Sequence, residues 1–109
     1  MPETAYQIKY YQQEDGSVPF NEWLDGLRDA TAVARVRIRL SRLRLGLFGV
    51  VKPLGEGVVE VKIDYGPGYR VYYALSGNKV ILLLIGGDKS TQRKDVSTAK
   101  RYWKNYQGE

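Results

Sequence analysis

The chain has 109 residues, of which 43% are hydrophobic and 27% are charged. These values are ordinary for one globular domain, and they exclude a collagen, a coiled coil and a fully disordered chain. Cysteine and histidine are both absent, which excludes disulfides, Cys/His zinc sites, cysteine nucleophiles and Ser/His/Asp triads. Any acid or base chemistry must therefore come from Asp, Glu, Lys or Tyr.

Charge is unevenly distributed along the chain. The net charge is +5, but residues 1–30 carry −4 and residues 31–109 carry +9. The basic part points to a polyanionic partner such as nucleic acid, although many small basic proteins carry such charge only for solubility. The chain starts without a signal-peptide pattern, and its longest apolar run, residues 80–85, is far shorter than the about 20 residues that span a bilayer. We therefore expect a cytoplasmic protein with no membrane segment, folded as one domain over residues 1–109.

The first half of the chain predicts one strand and two helices. Residues 5–11 alternate and are rich in Tyr and Ile, which favours a strand. Pro19 suits the first turn of a helix, and the apolar stripe of that helix is Phe20, Trp23, Leu24 and Leu27. Thr31 is the predicted N-cap of a second helix, with Gly46 near its end. Its stripe is Val33, Val36, Leu40, Leu43 and Leu47. We expect the two helices to form a hairpin.

The second half predicts a loop, three strands and a helix. Residues 49–57 form the loop, and the strands cover residues 58–63, 69–75 and 79–85, joined by turns at 64–68 and 76–78. The last strand is continuously apolar, which suits a central strand covered on both faces. A final helix begins near Ser90 or Thr91 and has the stripe Val96, Ala99, Trp103 and Tyr106. The predicted fold is α+β, with the order β-α-α-β-β-β-α.

The second predicted helix is rich in arginine. It carries five of them, and no acidic residue lies between Ala30 and Gly55, so the helix has no internal i,i+4 ion pairs. The arginines are Arg35, Arg37, Arg39, Arg42 and Arg44. They could bind the phosphates of RNA or DNA, or an acidic segment of a partner protein. Alternatively, they form a solvated face whose aliphatic stems cover the edge of the core.

A second cluster of polar residues lies on the predicted strands. Alternation puts Val71, Tyr73 and Leu75 inward, and it places on one outward, exposed face the residues Glu60, Lys62, Arg70 and Tyr72. Lys52 and Lys89 come from the flanking loops. A ribonuclease that uses the 2′-oxygen as nucleophile needs a base, cations for the phosphorane and an acid, which these residue types supply without metal. The alternative is ordinary cross-strand pairing on a solvated face.

Two glycine-containing loops could hold phosphate. No helix follows Gly66-Pro67-Gly68, so these glycines are predicted to be turn residues rather than a dinucleotide or P-loop site. Residues 86–91 join a strand to a helix, where backbone N–H groups can gather an anion. Their spacing is not that of a P-loop, which argues against an ATPase or GTPase, but an RNA phosphate could still bind there.

Several motifs occur in the same order as in one protein family. They are residues 19–24 (PFNEWL), the arginine-rich helix, Phe48-Gly49, residues 52–55 (KPLG), residues 64–73 (DYGPGYRVYY), residues 86–92 (GGDKSTQ), Asp95 and residues 99–103 (AKRYW). With these motifs, residues 6–106 resemble the RelE/ParE superfamily of toxins from bacterial toxin–antitoxin modules. The resemblance is greatest to its addiction module killer protein branch, which is related to HigB.

The resemblance implies a helical hairpin packed on a small, twisted, mainly antiparallel sheet. RelE-like and HigB-like members cut mRNA in the ribosomal A site, whereas ParE-like members inhibit DNA gyrase, and fold alone does not choose between them. The expected function is a ribosome-dependent, metal-independent mRNA endonuclease toxin; the alternative is a gyrase inhibitor without nuclease activity. The implied partners are the ribosome, mRNA and a cognate antitoxin, commonly a helix-turn-helix DNA-binding protein. The predicted contacts with antitoxin or nucleic acid are Arg35, Arg39 and Arg42.

The resemblance also assigns site residues by position. Arg70 matches a phosphate-binding arginine, Lys62 a basic residue on the preceding strand, and Lys89 the lysine of the strand-to-helix loop. Glu60 stands where relatives keep a strand lysine, and Val96 where RelE keeps a tyrosine, so the general acid and base are not assigned. The predicted catalytic residues are Arg70, Lys62, Glu60 and Lys89. The predicted contacts with RNA or ribosome are Lys52, Tyr72, Arg93 and Lys94. No metal or other cofactor is expected.

Overall fold

The computed structural model describes residues 5–108 as a five-stranded mixed β-sheet with three α-helices, and it confirms the predicted α+β class. The strands are β1 (Gln7–Tyr10), β2 (Lys52–Pro53), β3 (Val58–Ile63), β4 (Tyr69–Ser76) and β5 (Val80–Gly87). The helices are α1 (Pro19–Asp25), α2 (Ala30–Arg44) and α3 (Gln92–Tyr106). A short 3₁₀ turn, Lys89–Thr91, leads into α3.

The sheet has the strand order β1-β5-β4-β3-β2. The first strand runs parallel to β5, and the other three pairings are antiparallel. β5 is therefore an interior strand, as its apolar run predicts. The prediction that residues 49–57 are entirely loop is wrong, because Lys52 pairs with Glu60 and Pro53 with Val59. Two residues are too few to show the alternation that identifies a strand in a sequence.

Helices cover both faces of the sheet. On one face, α1 and α2 pack against β3, β4 and β5 through a core that includes Phe20, Val36 and Val71. On the other face, α3 packs Ala99 and Trp103 into a second core with residues of the same strands. The predicted solvent-exposed face of β3 and β4 is thus wrong for Glu60, Arg70 and Tyr72, which are all buried. Alternation shows which residues share a face, but it does not show that a helix from a distant part of the chain covers that face.

β5 contains a bulge, and two glycines follow it at the end of the strand where helices from both faces pack. Tyr72 pairs with Ile85 and Tyr73 with Leu83, so Leu84 is an extra residue in the ladder. After this bulge, a Cβ atom on Gly86 would collide with the Trp23 ring of α1, and one on Gly87 with the Asp95 carboxyl group of α3. The two glycines therefore allow both helices to lie directly against the strand.

The helix ends differ in detail from their predicted positions. α2 begins at Ala30 and is capped by Asp29, whose Oδ1 accepts hydrogen bonds from the Thr31 and Ala32 amides at 2.9 and 3.2 Å. Thr31 is therefore not the cap. Leu27 and Leu47 lie beyond the ends of α1 and α2, so neither belongs to a helical stripe, and Leu47 is exposed. Periodicity extended both helices too far because both leucines fall in phase with the apolar stripe; Leu27 still packs against the core from beyond the end of α1.

Candidate functional site

An open groove of about 420 Å³ lies where the β3–β4 hairpin meets the turn before α3. Its walls bring together three of the four predicted catalytic residues, Lys62, Arg70 and Lys89. The other lining residues are Asp64, Tyr65, Gly66, Pro67 and Gly68. The groove therefore gathers three cationic side chains from two segments that are distant in sequence.

Gly68 allows two of these cations to approach each other. Lys62 and Arg70 are directly paired across β3 and β4. A Cβ atom on Gly68 would lie 3.2 Å from Arg70 Nη1 and 3.7 Å from Lys62 Cε, so both side chains pass close to this residue. Gly68 also has a positive φ of 77°, which disfavours any other residue. Its carbonyl accepts a hydrogen bond of 2.7 Å from Arg70 Nη1, which fixes one arm of the guanidinium.

Glu60 lies behind Arg70, away from the groove wall. Its Oε2 atom is 3.7 Å from Arg70 Nε, and the two side chains are only 5% and 8% exposed. The other oxygen, Oε1, accepts a hydrogen bond of 3.0 Å from Gln92 Nε2 at the start of α3. Glu60 is thus placed as a buried counter-charge for Arg70. A direct role in transferring a proton to or from substrate does not fit this position.

Tyr72 is completely buried beneath α3. Burial is the main cause that raises the pKa of its phenol, and the charges of Glu60 and Asp95 raise it further. The side chain is therefore a neutral, buried hydroxyl. The prediction that Tyr72 contacts RNA or the ribosome assumed an exposed residue, and this assumption is wrong because α3 covers the ring.

Asp88 organises the turn that carries Lys89. Its Oδ1 accepts hydrogen bonds from the Ser90 amide at 2.8 Å and the Ser90 hydroxyl at 2.6 Å. These bonds, the hydroxyl foremost, hold the pKa of Asp88 below its usual value, with Arg70 contributing. The carboxylate thus takes the amide that an external anion would use. Lys89 is the residue through which this loop reaches the groove. Phosphate binding by the other backbone amides of the loop stays a prediction.

The remaining predicted RNA contacts lie outside the groove. Lys52 is exposed on the edge strand β2, and Arg93 and Lys94 are exposed in the first turn of α3. Lys52 pairs in register with Glu60, and Arg93 directly follows Gln92. They are available to a large polyanion, but they do not line the groove itself.

The predicted arginine surface of α2 forms a second groove, of about 620 Å³. Arg35, Arg39 and Arg42 line it around Ile38, which is 54% exposed. Arg39 already has a partner within the protein, since its Nη2 donates a hydrogen bond to the Phe48 carbonyl at 2.6 Å. The Arg35 guanidinium lies 4.9 Å from the centroid of the Tyr65 ring. Lys62 and Asp64 line both this groove and the first one. An occupant of one groove would therefore contact residues of the other.

Sequence reasoning missed four residues of the site. Asp64 is the carboxylate on the wall of the first groove, and its position directly after Lys62 and Ile63 could have indicated it. Tyr65 lines the same wall and donates a hydrogen bond of 2.8 Å to Asp29 Oδ2. Gln92 and Asp95 belong to the motifs that carry the family resemblance, but their contacts could not be predicted, because these contacts join α3 to strands far away in the sequence. Asp95 accepts a 2.5 Å hydrogen bond from Thr91, and its burial raises its pKa.

Comparison with known proteins finds a relative of this chain. A protein of Haemophilus influenzae, described as an uncharacterized protein, is 43% identical over 84 residues, which cover 77% of this chain and 85% of the relative. The chain belongs to the family of this Haemophilus influenzae protein. No family model matches the chain. Within residues 5–108, no helix has the length and apolar character required to cross a membrane.

Proposed function

We propose that this chain is the toxin of a toxin–antitoxin module and that it cuts mRNA on the ribosome without a metal ion. The observation that supports the proposal best is the convergence of Lys62, Arg70 and Lys89 on one groove, with Glu60 behind Arg70. A RelE-like arrangement, with α1 and α2 as a helical hairpin on the sheet, is part of the proposal.

The groove suits a phosphodiester better than a neutral ligand. A guanidinium and two ammonium groups can bind the non-bridging oxygens and stabilise the extra negative charge of the phosphorane. In the proposed reaction the 2′-oxygen attacks the adjacent phosphorus, and the bond to the 5′-oxygen breaks, leaving a 2′,3′-cyclic phosphate and a 5′-hydroxyl. The Asp64 carboxylate on the wall can accept the 2′-hydroxyl proton, and a lysine ammonium can donate to the 5′-oxygen.

The partners follow from the surfaces around the groove. Lys52, Arg93 and Lys94 are exposed cations that we propose contact ribosomal RNA or mRNA. For the α2 groove we propose an acidic segment of a cognate antitoxin, a helix-turn-helix DNA-binding protein, in a cytoplasmic complex. The exposed Ile38 among arginines suits a protein segment with both acidic and apolar residues. Co-expression with the neighbouring reading frame, followed by pull-down, tests this: an absent complex and unrescued growth would contradict it.

Mapping mRNA 5′ ends after induction tests the nuclease proposal. We expect new 5′ ends in phase with codons and confined to translated frames. The matched control is the double variant Lys62→Ala/Lys89→Ala, which removes two exposed groove cations and should leave mRNA intact. Unchanged mRNA 5′ ends with the wild-type protein would contradict the proposal. Codon-phased ends that persist with the double variant would show that the groove is not the site.

One observation favours the alternative, a ParE-like inhibitor of DNA gyrase without nuclease activity. Glu60, a predicted catalytic residue, and Tyr72, a predicted RNA contact, are buried rather than on the groove wall, so neither can act as an acid or base on substrate there. A protein that acts by binding needs no such group. In the same induction experiment, intact mRNA together with accumulating DNA breaks would support this alternative.

A further inference from the structure

Gln92 connects α3 to the buried ion pair behind the groove. Its side-chain amide donates to Glu60 Oε1 at 3.0 Å, whereas Glu60 Oε2 is 3.7 Å from Arg70 Nε. Among residues 5–108, Arg70 Nε has no hydrogen-bond partner although it is buried. The Glu60 carboxylate therefore has two partners. It accepts a hydrogen bond from the neutral Gln92 amide, and it interacts with the Arg70 guanidinium only as an ion pair.

This arrangement limits where Arg70 can lie. A buried carboxylate and a buried guanidinium must stay close, because separating them would leave two unpaired charges in a region of low polarity. Gln92 restricts the rotation of the carboxylate by bonding one of its oxygens. The Gly68 carbonyl holds the Nη1 arm of Arg70 at 2.7 Å. The guanidinium is thus confined from two sides while it still lines the groove.

We propose that Gln92 is a positioning residue for the Arg70 guanidinium. By holding Glu60 Oε1, it fixes the carboxylate that orients Arg70 towards the groove. Gln92 also follows directly after the Lys89–Thr91 turn, so the same contact ties the Lys89 segment to Arg70. The proposal rests on the function proposed above, since it gives Gln92 a part in holding the reacting phosphate.

A purely structural role would look different. If Gln92 only fastened α3 to the sheet, its loss would lower stability and leave the surroundings of Arg70 unchanged. The nitrogen-15 and proton resonances of the Arg70 Nε–H group report those surroundings directly, and an Arg70→Lys variant identifies them. Gln92→Met removes the donor at similar size and keeps a good helix former. The matched control is Gln107→Met, because Gln107 is an exposed glutamine at the other end of α3.

We expect Gln92→Met to move the Arg70 Nε–H resonance and Gln107→Met to leave it in place. Single-turnover cleavage of mRNA on programmed ribosomes should slow about 10-fold with Gln92→Met, the effect of losing one hydrogen bond to a charged group. Ribosome affinity should change less than about twofold, because the exposed cations remain. Gln92→Glu keeps the shape but places a second carboxylate beside Glu60, so it should move the resonance as well, and it serves as the test variant if Gln92→Met does not fold.

The outcomes separate this inference from the nuclease proposal. A resonance that stays in place in the folded Gln92 variant overturns the positioning role, whatever happens to cleavage. A resonance that moves, in a protein whose wild type cuts no mRNA, contradicts the nuclease proposal and leaves the effect of Gln92 on Arg70 standing. A resonance that moves without any change in the cleavage rate overturns the role of Gln92 in the reaction.

Discussion

The arginines of α2 and the arginine of β4 are the same residue type in opposite surroundings. Arg35 and Arg42 are exposed beside a groove, and no ion pair of theirs is found within residues 5–108. Arg70 is 7% exposed and is paired with a buried glutamate. In the sequence, the α2 arginines and Arg70 each belong to a predicted cluster of positively charged residues, and nothing distinguishes the buried arginine from the exposed ones.

The difference shows which charges the fold requires. Exposed charges are well solvated, so an ion pair among them contributes little to stability, and their loss costs little. A buried charge is stable only with its partner, so removing the partner costs several times more. Variants of the α2 groove therefore report on binding, whereas variants of Glu60 and Arg70 change binding and folding together.

The largest expected effect comes from breaking the buried pair. Glu60→Leu should lower the free energy of unfolding by about 3 kcal/mol, because the Arg70 charge is left buried without a counter-charge. Denaturant unfolding measures the change. The control is Glu14→Leu, which removes an exposed carboxylate from the loop before α1 and should change stability by less than about 0.5 kcal/mol. Equal stabilities for the two variants would show that Arg70 does not depend on Glu60.

The second effect tests the contact between α3 and the sheet. Gly87→Ala should cost about 2 kcal/mol of unfolding free energy, since the added methyl group overlaps the Asp95 carboxyl group and α3 must move. Gly26→Ala is the control, because its methyl group would lie 3.3 Å from the nearest atom, the Glu22 carbonyl oxygen. Thermal unfolding of both variants is the measurement. A Gly87→Ala protein as stable as the control would mean that α3 does not lie directly against β5.

A smaller effect separates the arginines of α2 from one another. Arg39→Ala should cost about 1 kcal/mol, because it removes hydrogen bonds to the Phe48 and Val50 carbonyls. Arg42→Ala should change stability by less than about 0.5 kcal/mol, since the side chain is exposed. Urea unfolding distinguishes the two. If Arg42→Ala were the more damaging substitution, the α2 surface would be structural and the comparison with Arg70 would fail.

The smallest effect is a pH dependence from Asp95. Burial raises the pKa of Asp95 in the folded protein above the ordinary value of 3.8. The folded state thus binds a proton more tightly than the unfolded state, and the resulting stability is present below pH 3.8 and lost as the pH rises through the raised pKa. Relative to Asp95→Asn, wild type should lose stability as the pH rises from 3.8 through the raised pKa of Asp95. Measuring the free energy of unfolding of both proteins across this pH range tests the prediction. If the difference in unfolding free energy between wild type and Asp95→Asn did not change with pH, the Asp95 carboxyl group would not be buried against β5.

Much of the fold could be predicted from local patterns. The Val80–Gly87 strand is continuously apolar and is an interior strand, and Pro19 lies in the first turn of α1. The hairpin of β3 and β4 followed from alternation around the turn at residues 64–68. The strand β2 could not be predicted, because two residues are too few to show alternation. The Asp29 cap of α2 was not predicted, because Thr31, two positions later, is also a favourable N-cap residue.

The candidate site could be predicted only in part. Strand register brings Lys62 beside Arg70, which alternation already implied. Lys89 reaches the same groove as Lys62 and Arg70 from the turn after β5. The two glycines at the end of β5 made this turn predictable from the sequence. The burial of Glu60, Arg70 and Tyr72 could not be predicted, because it depends on where α3 returns over the sheet. The contact between Gln92 and Glu60 depends on the same long-range packing.

The cleavage rate of the groove lysine variants tests the central claim most directly. Lys62 and Lys89 are exposed, so alanine at either position should leave the melting temperature unchanged, unlike substitution of Arg70. In single-turnover assays on programmed ribosomes, each variant should cut mRNA about 10²-fold more slowly than wild type. Lys9→Ala, on the far edge strand β1, should cut at the wild-type rate. Folded Lys62→Ala and Lys89→Ala proteins that cut as fast as wild type would contradict the claim that this groove is the site of mRNA cleavage.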